Sequence, residues 1–245
     1  MQSDLLYIQC KGSMPINPDI LVAAQGFEWM GFEIRPFEFQ PGTSPAQNSA
    51  LKRHIFVGGI ECMRYIFTAL GKFPPAINFP PGNVDAGLIG RKLEYLALQS
   101  AVEKFKAENK PFYIKPFERK IFDATLLSKG AQLSYFRGLE PDTRVIISEP
   151  LEIVSEWRTF IHNRKMIDCR SYAGDFRAQP DYQFIQANID TYEDSPVAYT
   201  LDVAVLKDSR TVVMEFDDFW AVGAYGLDPS DYAQMLLDRY REIVL

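Results

Sequence analysis

The sequence predicts an α+β protein whose N-terminal part is of the α/β type. Near the N-terminus, short apolar strands alternate with helices that begin or end at proline and glycine. Four prolines at positions 74, 75, 80 and 81 then bracket a stiff connector. Beyond the connector, apolar runs follow one another across polar turns, which is typical of antiparallel hairpins.

The front of the chain has the pattern of a small α/β domain. Apolar or alternating runs predict strands at residues 5–9, 32–39 and 54–57, and helical spacing predicts helices at residues 18–30 and 60–70. Pro18 and Asn17 suit the first turn and the N-cap of the first helix. Pro36 favours a sheet edge for the second strand, because proline cannot donate a ladder hydrogen bond.

The rear of the chain predicts antiparallel strands framed by helices. Helices are expected at residues 98–108, 180–192 and 229–244. Strands are expected at residues 112–116, 144–149, 156–162, 165–172, 198–206 and 211–216, with hairpin turns at 162–164 and 207–210. A chain of 245 residues has room for one large or two small domains. We therefore expect a first domain at 1–85 and a second at 86–245.

Composition excludes several classes of protein. Apolar residues make up 47% and charged residues 24%, the balance of a globular chain. The net charge of −6 argues against a dedicated nucleic-acid binder, which needs a basic surface. The three cysteines are far apart in sequence and predict neither a disulfide framework nor a zinc knuckle. Since we find no apolar run of membrane-spanning length, we expect a soluble cytoplasmic protein.

Three carboxylates are candidates for chemistry. Asp202 interrupts an apolar strand, and Glu215 and Asp217 stand two residues apart on the next strand, so both face the same side. If these strands pair about the turn at 207–210, Asp202 comes opposite Glu215. Clustered like charges repel unless a cation neutralises them, and Mg²⁺ binds oxygen ligands together with phosphates. The alternative is a set of solvent-facing acids on a half-exposed sheet.

Cationic side chains near these strands could meet an anionic ligand. Lys115 ends an apolar strand and could contact a phosphate, or it could extend to water at a sheet edge. Arg158 and Arg170 have matching parity about a predicted hairpin turn, so they could share a face and clamp a phosphate or carboxylate. The alternative is a structural salt bridge to a nearby acid, Glu156 or Asp168.

A further candidate is the strand end at Ser148-Glu149-Pro150-Leu151. Proline at 150 predicts that the strand stops there, because the residue before a proline is restricted. Backbone groups at such a stop could contact a flat heterocycle, and a plain turn is the alternative. The two histidines lie in different segments, which argues against a histidine-based nucleophile or metal site.

The order of these motifs along the chain resembles that of the ATP-grasp superfamily of ATP-dependent ligases. The resemblance is strongest to a compact bacterial and phage clade that is named for two arginines and a lysine. The resemblance covers residues 54–227. It rests on the stretches Glu156-Trp-Arg158-Thr-Phe160, Asp168-Cys-Arg170-Ser-Tyr172-Ala-Gly-Asp175, Thr200-Leu-Asp202-Val203 and Glu215-Phe-Asp217-Asp218-Phe-Trp220-Ala-Val-Gly-Ala-Tyr225-Gly226. One departure is that Asp217 stands where many members carry asparagine, although it still offers an oxygen ligand.

The resemblance implies an ATP-grasp fold, in which two α+β lobes hold a nucleotide between them, preceded by a small Rossmann-like pre-ATP-grasp domain. It implies that Asp202, Glu215 and Asp217 hold Mg²⁺, and that Arg158 and Arg170 stabilise an acyl-phosphate stage. The residues that it places around ATP are Lys115, Lys120, Ser148, Glu149, Pro150, Leu151 and Glu156.

The implied activity is an ATP- and Mg²⁺-dependent ligation of a carboxylate to an amine or a thiol through an acyl phosphate. Its substrates would be small molecules or peptides, with neither nucleic acid nor membrane as a partner. Two alternatives stay open at this point: a nucleotide-binding module without ligase activity, and an ATP-dependent phosphotransferase on the same fold. The first 90 residues contain no distinctive motif that identifies the donor or the acceptor.

Overall fold

The structure, a computed structural model, describes residues 5–40, 54–73, 76, 86–117 and 121–245. These residues form three four-stranded sheets and six α-helices, together with two 3-10 helices at Gly130–Phe136 and Phe219–Ala221. The α+β prediction is confirmed, with parallel pairing in the front of the chain and antiparallel pairing behind it.

The front sheet is parallel around its central strand. Its strands are β1 (Leu5–Lys11), β2 (Met14–Pro15), β3 (Glu33–Phe37) and β4 (Ile55–Val57). Strands β3 and β4 pair in parallel with β1, and the short β2 pairs antiparallel with its end. The helices of this part are α1 (Pro18–Trp29) and α2 (Ile60–Ala69). Asn17 caps α1 by accepting a hydrogen bond from the Ile20 amide at 3.0 Å, as the sequence predicts.

The middle sheet is antiparallel and has the order β5-β8-β6-β7. Its strands are β5 (Leu93–Ala97), β6 (Phe112–Pro116), β7 (Thr125–Leu127) and β8 (Arg144–Ser148), and its helices are α3 (Ala86–Ile89) and α4 (Leu98–Glu108). Helix α4 buries Phe105 against one face of the sheet, where it packs with Ile114 and Ile147. Because side chains alternate along a strand, Lys115 lies on the other face.

The rear sheet is also antiparallel and has the order β10-β9-β11-β12. Its elements are β9 (Ile153–His162), β10 (Lys165–Gly174), α5 (Tyr182–Thr191), β11 (Ala198–Leu206), β12 (Thr211–Asp218) and α6 (Pro229–Val244). Helix α5 covers one face, where Ile185 and Ile189 pack against Leu201 and Phe216. Every residue of β11 is buried, which follows from its central place in the sheet.

Helix α6 crosses from the rear of the chain to pack on α1 in the front. A Cβ atom added at Gly26 of α1 would lie 1.8 Å from the carbonyl oxygen of Pro229 and 2.7 Å from the Cβ of Ala233. Glycine is therefore required for this close approach of the two helices. A hydrogen bond from the Ala224 amide to Asp19 Oδ1, at 2.9 Å, joins the segment that precedes α6 to α1.

The two predicted hairpins are confirmed, and α4 has the predicted bounds. Helix α5 begins two residues later than predicted, because Asp181 accepts hydrogen bonds from the amides of Gln183 and Phe184 and so acts as its N-cap. The expected boundary at residue 85 borders residues 77–85, which lie outside the described part, and the domain division stays a prediction. Among the described residues, no helix combines the length and apolarity needed to cross a bilayer.

Candidate active site

The three predicted carboxylates come together on the hairpin of β11 and β12. Asp202 is the register partner of Glu215, and Asp217 lies two pairs further along, opposite Thr200. Each offers a carboxylate oxygen, and these oxygens all lie within 4.8 Å of one another. Asp202 and Asp217 are buried and Glu215 is half-buried, so the alternative of solvent-facing acids does not describe them.

Arg158 holds two of these carboxylates from the neighbouring strand. It lies opposite Asp202 in the pairing of β9 with β11. Its Nε and Nη2 donate to the two carboxylate oxygens of Asp202 at 2.8 Å each, and Nη2 also donates to Asp217 Oδ2 at 2.9 Å. A bidentate guanidinium–carboxylate pair of this kind is strong because both hydrogen bonds are charge-assisted.

Lys115 reaches the third carboxylate from the middle sheet. Its Nζ lies 3.1 Å from Glu215 Oε2, and only 16% of its side chain is exposed. The lysine therefore faces the cleft between the middle and rear sheets rather than extending to water.

Burial and mutual repulsion shift the titration of the cluster. Burial raises the pKa of Asp202 to about 6, even though the hydrogen bonds from Arg158 act in the opposite direction. Burial also raises the pKa of Asp217 well above its ordinary value, and the charges of Glu215 and Asp202 add to that rise. Two cationic groups thus face three carboxylates in the described structure, which leaves negative charge for a further cation to neutralise.

Two tyrosines cover the Arg158 guanidinium. Its Cζ lies 4.5 Å from the ring centroid of Tyr225 and 6.0 Å from that of Tyr172. Tyr172 in turn donates from its hydroxyl to Glu156 Oε2 at 3.2 Å. Tyr225 has a φ of +46°, in the left-handed region that is unfavourable for a bulky residue. Such backbone strain is common where a side chain is held for function.

A cavity of about 310 Å³ adjoins the carboxylates between the middle and rear sheets. This volume is within the range of small-molecule sites. Its walls combine apolar side chains with a few polar ones, and the predicted residues among them are Lys115, Ser148, Leu151, Glu156 and Glu215.

Comparison with known proteins decides the family. A family model matches residues 89–235, which is more than half of the chain, and it describes an ATP-grasp domain, family 2 of the clade named for two arginines and a lysine. The chain belongs to the ATP-grasp family. No curated protein matches it.

Solved structures share the ATP-grasp fold over nearly the whole chain. D-cycloserine synthetase DcsG has a TM-score of 0.58 at 14% identity, over 96% of this chain and 99% of that one. N5-carboxyaminoimidazole synthetase from Staphylococcus aureus, complexed with ADP, has a TM-score of 0.60 at 11% identity, over 97% and 77%. D-alanine–D-alanine ligase from Bacillus anthracis has a TM-score of 0.54 at 12% identity, over 100% and 99%. The chain has the fold of an ATP-dependent ligase of the ATP-grasp type.

Not every predicted residue of this ATP-grasp chain meets the cluster. Arg170 is the register partner of Arg158, yet its guanidinium is half-exposed and pairs with Asp168 at 2.6 Å, which is the alternative that the sequence left open. Glu149 is exposed and accepts a hydrogen bond from the Lys92 amide at 3.2 Å, outside the cavity wall. Pro150 is also exposed, and Lys120 lies outside the described residues.

Arg91 is a residue of the cleft that the sequence does not reveal. Its Nε and Nη2 donate to the carbonyl oxygens of Val213 and Met214 at 2.7 and 2.9 Å, and Nη1 donates to Ser148 Oγ at 2.9 Å. Arg91 therefore ties the end of β8 to β12 across the ATP-grasp cleft. Burial lowers its pKa. Because two of its partners are backbone carbonyls more than 120 residues away, no local motif marks it.

Proposed function

We propose that the protein is an ATP- and Mg²⁺-dependent ligase that joins a carboxylate to an amine or a thiol through an acyl phosphate. The single observation that carries this proposal is the cluster of three carboxylates, opposed by Lys115 and Arg158, beside a cavity of about 310 Å³. We further propose that the substrates are small molecules or peptides.

The donor set fits a magnesium ion. Asp202, Glu215 and Asp217 offer hard oxygen ligands close together, and they carry more negative charge than the described cations neutralise. When bound, Mg²⁺ would spread the charge that develops on the transferring phosphoryl group. Asn at position 217 would keep one oxygen ligand and remove one charge.

The cavity suits the nucleotide. We assign the phosphate contact to Lys115, because its ammonium lies between the cavity and the carboxylate cluster. Ser148, Leu151 and Glu156 line the wall at and beyond the end of β8, where a nucleoside would lie. Arg91 joins this wall to β12 through its hydrogen bonds to Ser148 and Met214.

The proposed chemistry has two steps, and the cationic side chains assist both of them. A substrate carboxylate oxygen attacks the γ-phosphorus of ATP, the bond to the ADP oxygen breaks, and an acyl phosphate forms. The amine then attacks the acyl carbon, the bond to phosphate breaks, and the amine proton leaves to solvent. We propose that Lys115 and Arg158 stabilise the anionic oxygens of these steps electrostatically. Arg170 would join them only after leaving Asp168.

Removal of one cluster carboxylate should weaken Mg²⁺-dependent nucleotide binding. Mutation of a residue that only hydrogen-bonds to a metal ligand already lowers metal affinity by about 10–100-fold. Glu215 is a proposed ligand itself, so Glu215→Ala should weaken Mg²⁺-ATP binding by at least about tenfold. Asp217→Asn keeps an oxygen ligand and should bind almost as well as the parent chain. The measurement is calorimetric titration with a non-hydrolysable ATP analogue, with and without Mg²⁺.

The control for this experiment is Asp208→Asn, which removes an exposed carboxylate at the β11–β12 turn. It should leave the affinity unchanged. Equal nucleotide affinity in Glu215→Ala and the parent chain would refute the proposed function.

Magnesium affinity should increase as the pH is raised through about 6. Burial raises the pKa of Asp202 to about 6, and the pKa of Asp217 is also raised, so protons compete with the metal for these carboxylates and this competition weakens as the pH rises. The test is the Mg²⁺-dependent part of nucleotide affinity measured across a pH series, with the Mg²⁺-free affinity as reference. A Mg²⁺ contribution that stays flat or falls with rising pH would contradict the expectation.

Product analysis separates the ligase from the two alternatives. A ligase releases ADP and phosphate together with a joined product when it is given a panel of carboxylates and amines. A phosphotransferase releases ADP and a stable phosphorylated product without ligation. A binding module binds Mg²⁺-ATP and turns over neither. The intact set of oxygen ligands at the cluster favours the ligase over a module that has lost activity.

A further inference from the structure

A second crevice, of about 440 Å³, lies away from the nucleotide cavity, at the boundary between the front sheet and the segment that follows β12. It is lined by Gln9 of β1, by Val57 at the end of β4, by Gly58 and Gly59 directly after it, and by Trp220. The crevice therefore lies at the carboxyl ends of two neighbouring parallel strands.

The front sheet reverses its strand order at this crevice. The chain leaves β1 through α1 to β3 on one side, whereas β4 pairs on the other side and leads into α2. Leu6 and Ile8 of β1 share a core with α1, and Tyr7 belongs to the core of α2, so the two helices cover opposite faces of the sheet. In open parallel sheets, ligands bind at this kind of switch point.

Helix α2 begins in the crevice without a side-chain cap. Its N-cap is Gly59, which has no side chain, and no side-chain cap is found among the described residues. The Gly59 amide itself donates to Gln9 Oε1 at 2.8 Å. The amides of the first turn of a ten-residue helix therefore carry partial positive charge toward the crevice.

A buried donor supports the same site independently. Trp220 is 94% buried and lines the crevice, and its indole Nε1–H has no hydrogen-bond partner in the described structure. A buried donor of this kind costs free energy unless a ligand or water accepts its hydrogen bond. Around it the walls are aromatic, with Phe56, Phe67 and Tyr240.

From this juxtaposition we propose that the crevice binds a small carboxylate with a large apolar or aromatic body, with its carboxylate at the N-terminus of α2. The two acidic residues of the crevice do not oppose this assignment. Glu61 is exposed to water, which screens its charge, and Asp19 Oδ1 accepts the Ala224 amide.

The crevice is connected to the carboxylate cluster by one short segment. Trp220, Val222 and Gly223 line the crevice, and two residues later Tyr225 covers Arg158. The ligand is accordingly one of the two substrates of the ligation. This last assignment rests on the proposed function, whereas binding to the crevice does not.

The test uses 3-phenylpropionate as the probe and 3-phenylpropionamide, which has the same body without the charge, as its control. Both are titrated calorimetrically into the full chain without ATP or Mg²⁺. We expect the acid to bind more tightly than the amide, by about tenfold, because hydrogen bonds to a charged group are stronger. Absence of acid binding at millimolar concentration, or equal affinity for acid and amide, would overturn the proposal.

Variants at Gly59 place a competing group at the same helix end. The φ of Gly59 is −64°, and an added Cβ would meet only the flexible end of Ile16 closely, at 3.3 Å, so a side chain fits. Gly59→Asp should cap α2 with a negative charge, whereas Gly59→Asn provides a neutral cap. The affinity for 3-phenylpropionate should therefore be about tenfold lower in Gly59→Asp than in Gly59→Asn. Binding of the amide should be the same in both variants. An equal loss of affinity for 3-phenylpropionate in both variants would contradict the proposed position of the carboxylate.

Three further measurements keep the result interpretable. Both Gly59 variants should unfold at temperatures no lower than the parent chain, because Asp and Asn are good N-cap residues. Trp220→Phe keeps the aromatic body but removes the Nε1 donor, and it should lower the affinity for 3-phenylpropionate severalfold. Unchanged affinity would show that the indole does not bind the ligand. Mg²⁺-ATP binding, measured on the same parent sample, tests the proposed function separately.

Discussion

Arg158→Leu should lower the free energy of unfolding by about 3–5 kcal/mol, because it leaves buried carboxylates without their counter-charge. The guanidinium is only 9% exposed and holds Asp202 and Asp217 through three hydrogen bonds. Without it, both carboxyl groups would take up protons at a higher pH than they do now. Urea unfolding at pH 7 measures the loss, which should become smaller at acidic pH.

Arg170→Leu is the matched control for this substitution. It removes the register partner of Arg158, whose half-exposed side chain pairs with Asp168 at the surface. Exposed ion pairs contribute about 0–1 kcal/mol, so its effect should be small. Added Mg²⁺ should restore more stability to Arg158→Leu than to Arg170→Leu, because only the first frees metal ligands from an arginine. Equal destabilisation by the two changes would show that the buried network of Arg158 contributes no more to stability than the surface pair of Arg170.

Gly26→Ala should destabilise the fold although alanine is the better helix former by about 1 kcal/mol. The new methyl group would lie 1.8 Å from the Pro229 carbonyl oxygen, so α1 and α6 must move apart. Overpacking of this kind costs about 1–3 kcal/mol in cores, and a contact to rigid backbone belongs at the upper end. Urea unfolding measures the change, and hydrogen exchange in α1 and α6 locates it.

The control is Gly130→Ala, at a glycine whose added Cβ meets none of the described atoms within 4 Å and whose φ is not left-handed. That change should be neutral or stabilise by up to about 1 kcal/mol. If Gly26→Ala proved as stable as Gly130→Ala, the close approach of α1 and α6 would not be needed for stability.

Features that depend on local periodicity were predictable from the sequence. The two-residue spacing of Glu215 and Asp217, and the turn before them, placed Asp202 opposite Glu215, which the register confirms. Lys115 was predictable as a strand-end residue, although its direction was not. Which face of a strand becomes buried depends on the helix that covers the other face, here α4.

Features that depend on sheet order were not predictable. Arg158 meets Asp202 because β9 lies between β10 and β11, and nothing in either strand specifies that neighbour. The prediction that Arg170 and Arg158 have matching parity on the hairpin was right, since the two are register partners. Irregularities in the register on both sides of Arg170, at Met166/Asp168 and Ser171/Ala173, interrupt regular pairing. Its guanidinium pairs with Asp168 instead of reaching the cluster.

The packing of α6 on α1 also constrains the order in which the chain can fold. The hydrogen bond from Ala224, in the segment that leads into α6, to Asp19 of α1 joins residues 205 apart in sequence, so its closure is a non-local step of high contact order. During synthesis, α1 leaves the ribosome long before α6 exists to cover Ala23 and Phe27. The front sheet therefore cannot complete its own core early, and its final consolidation waits for the rear of the chain.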